Sequence, residues 1–236
     1  MRNETKQITN YLKSIGVKSI ATHSQRFFKT GKGQYGYGDI FIGIRVPMIR
    51  KQIKSYKSVD LTIAQELLKS PYHEVRLFAL LLLVENFKKA TEKQQKKIFK
   101  LYITNTEYIN NWDLVDLSAS QIVGKYLLKN KKNILEELAK SDNLWDRRIA
   151  IISTYAFIKE NEFEWTIKIA IILKNDNHDL IHKAVGWMLR EVGKKSLSTE
   201  ENFLKKFYKT MPRTMLRYAI EKFPEPKRKA YLKGTI

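Results

Sequence analysis

Apolar residues recur every three or four positions along most of the chain, which is the spacing of one face of an α-helix. Clear examples are Leu61, Ala64, Leu67 and Leu68, and further along Ile134, Leu135 and Leu138. No segment shows the convincing alternation of apolar and polar residues that is typical of a β-strand. The segment LFALLLLVENF, which starts at Leu77, is apolar on all sides and predicts a helix buried within a stack. The pattern therefore predicts an all-α protein.

A weak repeat lies within this helical pattern. Its units are SPYHEVRLFAL from Ser70, TEYINNWDLVDLSA from Thr106, SDNLWDRRIAI from Ser141, NDNHDLIHKAVGW from Asn175 and MPRTMLRYAIE from Met211. The starts lie about 35 residues apart, and each unit opens with short polar residues that suit a helix N-cap. Helix pairs at this period predict a right-handed α-solenoid of the HEAT or TPR kind that curves around a concave face.

We expect one domain over residues 1–236, with an N-terminal helical cap and a glycine-rich loop over about 1–50 and the repeats over about 51–236. Five of the ten glycines lie in GKGQYGYGDIFIG, residues 31–43, whereas residues 72–211 contain no proline and only three glycines. The glycine-rich segment lacks the Lys-Ser/Thr ending and the preceding strand of a phosphate-binding loop. Gly33, Gly36 and Gly38 are expected to supply turn geometry.

The charge balance is strongly positive, with 44 lysines and arginines, 24 aspartates and glutamates, and a formal net charge of +20. Such an excess indicates a polyanionic partner, with nucleic acid first and an anionic membrane surface second. A lysine-rich surface without a specific partner is the alternative that charge alone leaves open. A basic concave face fits a DNA duplex, and the glycine-rich segment is then a loop that closes over DNA or packs as a cap.

Several classes of function are disfavoured by what the chain lacks. It has no cysteine, which excludes disulfides, thiolate catalysis and cysteine-based zinc sites and favours a reducing, cytoplasmic location. The polar N-terminal segment predicts no secretory signal, and the longest apolar run, Leu77 to Val84, is too short to cross a bilayer. His178 and His182 are four residues apart, but no third ligand follows a known pattern, so we predict no metal site.

The segment NNWDLVD, residues 110–116, places carboxylates beside a tryptophan in an otherwise basic chain. On a helix Trp112 and Asp116 share a face, because they are four residues apart. Asp113 points elsewhere, near the expected start of the helix, where it caps the helix or interacts favourably with its dipole. For Asp116 the structural alternative is a salt bridge to an arginine of a neighbouring repeat.

Two later repeat units carry further candidates. In WDRRIAI, Arg148 lies three residues after Trp145 and on the same helix face, with a structural ion pair between repeats as its alternative. In KAVGWMLREVGK, Lys183 and Trp187 are four residues apart, and Gly186 is expected where helices pack too closely for a side chain. A helical tryptophan such as Trp187 is more often part of a core than of a binding site.

Four segments together, in order and spacing, resemble the DNA alkylation-repair glycosylases of the AlkD type. They are NNWDLVDLSASQIVG, SDNLWDRRIAIISTYAFI, HDLIHKAVGWMLREVGK and MPRTMLRYAIEKF, and the resemblance runs from about Phe27 to Arg228. It implies a HEAT-like superhelix whose positively charged concave face holds duplex DNA. It also implies hydrolysis of the N-glycosidic bond of cationic N3- and N7-alkylated purines, without metal or cofactor.

The resemblance assigns roles to individual residues. The catalytic aspartate of the WDxVD motif falls on Asp116, and the aromatic residue of this motif falls on Trp112. The active-site arginine falls on Arg148, and the tryptophan of the GWxLRE block falls on Trp187. This chain departs from the family's best-known branch in RFFKTGKGQYGYGDIFIGIRVP, where that branch has a tyrosine. The candidates to replace that tyrosine are Phe27, Phe28, Tyr35 and Tyr37.

The implied chemistry suits these residue types. N-alkylation makes the purine a cationic leaving group, and the sugar develops oxocarbenium character in the transition state. A carboxylate at Asp116 stabilises that charge and orients the attacking water. Trp112 and Trp187 offer π faces to the lesion or the deoxyribose, and Arg148 holds a phosphate and keeps Asp116 ionised. Phosphate contacts, and hence salt-dependent binding, are expected from Lys183, Lys194, Arg213 and Arg217.

Two other functions remain open on the sequence. One is a non-catalytic DNA-binding HEAT protein that recognises damaged or branched DNA. The other is a protein-binding HEAT scaffold whose charge is incidental, which leaves WDLVD unexplained. The predicted partner is duplex DNA with alkylated bases, and a solenoid with a duplex-sized groove is expected to act as a monomer.

Overall fold

The regular structure is helical in the computed structural model, which describes residues 2–56 and 60–236. Within these ranges the extended pairing consists of an isolated parallel bridge between Ile40 and Tyr72. The all-α prediction is therefore confirmed. The chain divides into two compact units, Met1–Ser118 and Ala119–Ile236. The prediction of one domain, with a cap that gives way to repeats near residue 50, and the prediction of a curved solenoid stay predictions.

The first unit consists of helices joined by short connections and one long loop. Its helices are α1 (Arg2–Ser14), α2 (Lys18–Phe27), α3 (Val46–Ile53), α4 (Leu61–Leu68), α5 (His73–Lys89), α6 (Glu92–Ile103), a 3₁₀ turn (Thr106–Tyr108) and α7 (Trp112–Ala119), whose last residue belongs to the second unit. Helix α5 packs against α1, α3, α4 and α6. Every residue from 73 to 84 is buried, which confirms the prediction of a helix enclosed on all sides.

The long loop connects α2 to α3 and contains the glycine-rich segment. Gly33, Gly38 and Gly43 have positive φ angles of 78°, 86° and 93°, a region that favours glycine. A Cβ at Gly36 would lie 2.5 Å from the Phe28 carbonyl oxygen, so this glycine is required by a close approach and not by its φ angle. The second half of the loop is anchored by Glu74 of α5, whose carboxylate accepts hydrogen bonds from three consecutive backbone amides, residues 42–44, at 2.7–3.1 Å. This half of the loop is therefore fixed against the start of α5 within the first unit.

The second unit begins with a π-helical turn and continues as a series of helices. Its elements are the π turn (Ser120–Gly124), α8 (Lys125–Leu128), α9 (Ile134–Ala139), α10 (Leu144–Ser153), α11 (Tyr155–Lys159), α12 (Glu164–Leu173), α13 (Asp179–Lys195), α14 (Leu197–Phe207), α15 (Arg213–Ala219), a 3₁₀ turn (Ile220–Lys222) and α16 (Glu225–Lys233). Helix α13 packs against α10, α11, α12, α14 and α15. A Cβ at Gly186 would lie 2.4 Å from the Met215 carbonyl oxygen, so α13 and α15 meet where the sequence predicted close packing.

The five repeat units identified in the sequence begin shortly before α5, α7, α10, α13 and α15 in turn and continue into these helices. Asn143 and His178 accept side-chain hydrogen bonds from the second residues of α10 and α13, and Asn111 accepts one from the first amide of α7. Tyr72 and Pro212 precede α5 and α15 without a side-chain cap. The prediction of polar N-caps is therefore confirmed for three units and wrong for two, because Tyr72 and Pro212 occupy the position before the helix in those two and provide no side-chain cap.

Candidate active site and nucleic-acid interface

Trp112 opens α7 and lies in a cluster of aromatic rings. Its indole stacks on Phe28, with centroids 5.0 Å apart and planes at 18°, and Phe27 approaches edge-on at 5.8 Å. Trp112 is half-buried, whereas the side chain of Phe27 is 57% exposed. Two N-terminal phenylalanines thus contact the motif tryptophan and support an aromatic surface that is partly open to solvent.

Asp116 lies one helical turn after Trp112 and is also half-buried. The residues between them, Asp113, Leu114 and Val115, are buried in the first unit. Helix α7 therefore turns its motif tryptophan and its second aspartate towards the same partly exposed face, as the spacing predicted. A carboxylate beside an aromatic surface suits a cationic ligand, since the carboxylate supplies charge and the ring supplies a π face.

Asp113 is held by a partner that the sequence did not reveal. Its Oδ2 lies 2.9 Å from Nε2 of His73, and its Oδ1 accepts a hydrogen bond from the Leu114 amide at 2.9 Å. The other ring nitrogen of His73, Nδ1, lies 2.8 Å from Oδ2 of Asp39 in the glycine-rich loop. Arg76 completes the network by donating to Oδ1 of Asp39 at 2.6 Å. Asp113 therefore has a structural role, through an ion pair as well as its place in the first helical turn.

The charged groups of this network shift the pKa values of one another. Burial alone lowers the pKa of His73, but the carboxylates of Asp113 and Asp39 outweigh it and raise the pKa to about 9. Burial alone raises the pKa of Asp39, and the adjacent His73 and Arg76 outweigh it and lower this pKa. His73 is thus an imidazolium at neutral pH, and both of its ring nitrogens donate hydrogen bonds. The sequence signal that could have found it is the charged run HEVR at the head of an otherwise apolar helix.

The other two motif residues lie in the second unit. Arg148 of α10 is buried, with 5% of its surface exposed, and its Nη1 donates to the Leu180 carbonyl oxygen in α13 at 2.5 Å. Trp187 of α13 is half-buried, and its indole Nε1 donates to Oε1 of Glu191 at 3.1 Å. Each of these side chains is oriented by a hydrogen bond to another residue of the second unit. The predicted approach of Arg148 to Asp116 stays a prediction, since the two residues belong to different units.

The four cations predicted to contact phosphates lie on α13 and α15. Lys183 and Lys194 form ion pairs with Asp179 and Glu191, each at 2.6 Å. Arg213 and Arg217 are exposed, and Arg213 donates to the Leu232 carbonyl oxygen. The Lys183–Asp179 pair is exposed and of a kind that stabilises a protein by less than about 1 kcal/mol, so it leaves this lysine able to meet a phosphate, whereas Glu191 in the second pair is largely buried.

The other loop aromatics and the histidine pair are placed as follows. Tyr37 is 68% exposed, and Tyr35 lies under Nζ of Lys29 at 6.0 Å from the ring centroid. His178 caps α13, whereas Nε2 of His182 contacts the Asp176 carbonyl oxygen. Across residues 2–56 and 60–236 there is no group of three or more potential ligands that could hold a metal ion.

No helix among the described residues is both long and apolar enough to cross a membrane.

Comparison with known proteins identifies the class of this all-helical chain with its carboxylate and aromatic face. Residues 8–223 match the family model described as DNA alkylation repair enzyme, and the chain belongs to this family. A search of curated protein sequences finds no match.

The solved structures that are similar to this chain include the following three. A predicted DNA alkylation repair enzyme from Enterococcus faecalis is 17% identical with a TM-score of 0.71, covering 89% of this chain and 97% of that one. The smu.31 protein of Streptococcus mutans UA159 is 25% identical with a TM-score of 0.55, covering 76% of this chain and 92% of that one. AlkD2 from Streptococcus mutans is 23% identical with a TM-score of 0.55, covering 88% of this chain and 99% of that one. At 17% and 23% identity, the likenesses to the E. faecalis protein and AlkD2 support the fold alone.

Proposed function

We propose that this protein is a monofunctional DNA glycosylase that excises cationic N3- and N7-alkylated purines from duplex DNA. The observation that carries the proposal is the face of α7, where Asp116 lies one turn from Trp112 and both are partly exposed. The residues between them are buried, so the helix presents one carboxylate and one aromatic ring together. In a chain of net charge +20, such a local negative site suits a reaction in which positive charge develops.

Asp116 is the proposed catalytic residue. The alkylated purine is already cationic and leaves without prior protonation. The positive charge that grows on the deoxyribose is stabilised by the carboxylate, which also orients the water that attacks the anomeric carbon. Trp112, supported from behind by Phe28, offers its π face to the cationic base or the sugar, worth about 0.5–2 kcal/mol.

The second unit supplies the remaining proposed contacts. Arg148 is proposed to hold a phosphate beside the lesion through the 5% of its surface that is exposed, and the Leu180 carbonyl oxygen already orients its guanidinium. Trp187 is proposed as a second aromatic contact, oriented by Glu191. Exposed cations of α13 and α15 are proposed to bind the DNA backbone, which makes the affinity salt-dependent. The chemistry requires water and these side chains, and the proposal includes no cofactor.

The test is release of N7-methylguanine and N3-methyladenine from methylated duplex DNA under single-turnover conditions. We expect Asp116→Asn to lower the rate by about 100-fold or more, because it removes the charge that stabilises the transition state. Binding of undamaged duplex is expected to stay within about threefold, since Asp116 contacts the reacting sugar rather than the backbone. Asp60→Asn is the matched control: it makes the same charge change at the exposed N-cap of α4, where asparagine also caps well.

A non-catalytic DNA-binding protein for damaged or branched DNA is the second candidate. The observation that favours it is that phenylalanines contact Trp112, and neither Phe27 nor Phe28 carries the hydroxyl of the tyrosine in the family's best-known branch. A wild-type protein that binds duplex DNA tightly but releases no base would establish this candidate. Absence of DNA affinity at moderate salt would instead favour the protein-binding scaffold.

A further inference from the structure

We infer that His73 is a positioning residue that clamps the glycine-rich loop to the first turn of α7 and so orients Trp112 and Asp116. The consequence for base release rests on the glycosylase proposed above, whereas the consequence for the position of Trp112 does not. Only 1% of the surface of His73 is exposed, so His73 cannot touch DNA and acts through the residues that it holds.

The clamp joins three segments that are distant in the chain. His73 heads α5 and bridges Asp39, which lies 34 residues earlier, and Asp113, which lies 40 residues later. Both carboxylates are buried, and His73 is an ion-pair partner of each, together with Arg76 in the case of Asp39. Because Asp113 directly follows Trp112, a shift of Asp113 displaces the first turn of α7 and both side chains on its exposed face.

Ring contacts provide a second connection between His73 and Trp112. The imidazole stacks on Phe41 with centroids 4.3 Å apart and planes at 21°. The imidazole also contacts Phe28, with centroids 5.1 Å apart, and Phe28 in turn stacks on Phe41 at 4.9 Å and on Trp112 at 5.0 Å. A cation beside aromatic rings is favourable, so the charge of His73 also stabilises the ring cluster that supports Trp112.

The neighbours of His73 on α5 serve the same junction. Glu74 holds the amides of residues 42–44, and Arg76 donates to Asp39, to Oδ1 of Asn110 and to the Ser70 carbonyl oxygen. Three charged residues at the buried head of α5 are expensive to desolvate, and apolar residues would pack there at lower cost. Their directed hydrogen bonds instead specify one position for the loop and for α7. This gives the glycine-rich segment a role as a support of the site.

The experiment compares the full-length wild type with His73→Gln and with the double variant His73→Gln/Asp113→Asn. The double variant removes a cation and a carboxylate together, so it remains informative if the single variant does not fold. Ile98→Ala, which leaves a cavity at one of the two buried positions of α6 in the same unit, is the control for loss of stability without loss of the clamp. The readouts are the single-turnover rate of N7-methylguanine release, the Kd for undamaged duplex, and the ¹H–¹⁵N resonance of the Trp112 indole, assigned with Trp112→Phe.

We expect the clamp variants to release base about tenfold more slowly or worse, because small displacements of reacting groups have large effects on rate. Their Kd for undamaged duplex stays within about threefold, since phosphate contacts dominate that affinity. The Trp112 indole resonance shifts, whereas those of Trp145, Trp165 and Trp187 in the second unit do not. Ile98→Ala lowers the melting temperature but keeps the Trp112 resonance and the rate of base release.

The outcomes separate the inference from the proposed function. An unchanged Trp112 resonance in the clamp variants overturns the inference, whether or not the wild type is active. Equal loss of activity in Ile98→Ala and in the clamp variants also overturns it, because lost stability would then explain the effect. If the wild type releases no base, the glycosylase proposal fails, and a selective shift of the Trp112 resonance still supports the clamp.

Discussion

The charge of His73 predicts that the stability of the first unit falls as the pH rises. The pKa of His73 is raised from 6.5 to about 9 in the folded protein, against the effect of burial, by Asp113 and Asp39. A raised histidine pKa contributes stability that is fully present below the unfolded value and is lost as the pH rises through the folded value. A shift of this size corresponds to about 3 kcal/mol. That is a large part of the roughly 5–15 kcal/mol by which domains are stable.

The assay is urea unfolding followed by ¹⁹F NMR of protein labelled with 5-fluorotryptophan, between pH 6 and pH 10. Trp112 reports the first unit, and Trp145, Trp165 and Trp187 report the second. His73→Gln is the reference, because every other titrating group is shared and cancels in the difference. We expect the stability advantage of the wild type in the first unit to shrink by about 3 kcal/mol across this range.

A flat difference between wild type and His73→Gln would refute the assignment of an imidazolium between two carboxylates. A difference that grows with pH would mean that His73 is buried as a neutral ring, because protonation would then destabilise the folded unit. The second unit serves as an internal control, since its unfolding should not respond to the substitution.

Three further predictions concern the second unit. Gly186→Ala should destabilise it by about 1–3 kcal/mol or more in thermal unfolding, because the new Cβ meets the backbone of α15; an unchanged melting temperature would contradict this. Burial, and to a smaller extent the charge of Glu201, raises the pKa of Glu200 from 4.5 to about 8. Relative to Glu200→Gln, the free energy of unfolding of the wild type should therefore fall by roughly 5 kcal/mol as the pH rises from 4.5 through 8. Arg217→Ala should lower the slope of log Kd against log salt concentration by about 1, and an unchanged slope would mean that Arg217 does not contact a DNA phosphate.

Much of the helical structure follows from local sequence. The spacing of Leu61, Ala64, Leu67 and Leu68 defines α4, and the apolar run from Leu77 gives the buried body of α5. Gly186 was predicted as a point of close packing, and the structure shows the backbone of α15 there. These features could be predicted because helix periodicity and the lack of a side chain act within a few residues of the chain.

The candidate site could be predicted only in part. The four-residue spacing of Trp112 and Asp116 was sufficient to place both on one face of α7. The sequence also indicated that Asp113 has a structural role, but its main partner was not foreseen. In the sequence His73 is only one of four scattered histidines. Its role could not be predicted, because nothing within α5 indicates which distant carboxylates will meet its two ring nitrogens.

The sequence by itself determined the helices, the positive charge and the residue types of the candidate site, since these depend on composition and on short-range spacing. Only the tertiary structure decided that Asp39, His73 and Asp113 form one buried network and that Phe28 lies beneath Trp112. It also decided that the glycine-rich loop is anchored by Glu74. The physical reason is that such contacts join segments tens of residues apart, and their partners are selected by how the helices pack and not by the local propensity of any segment.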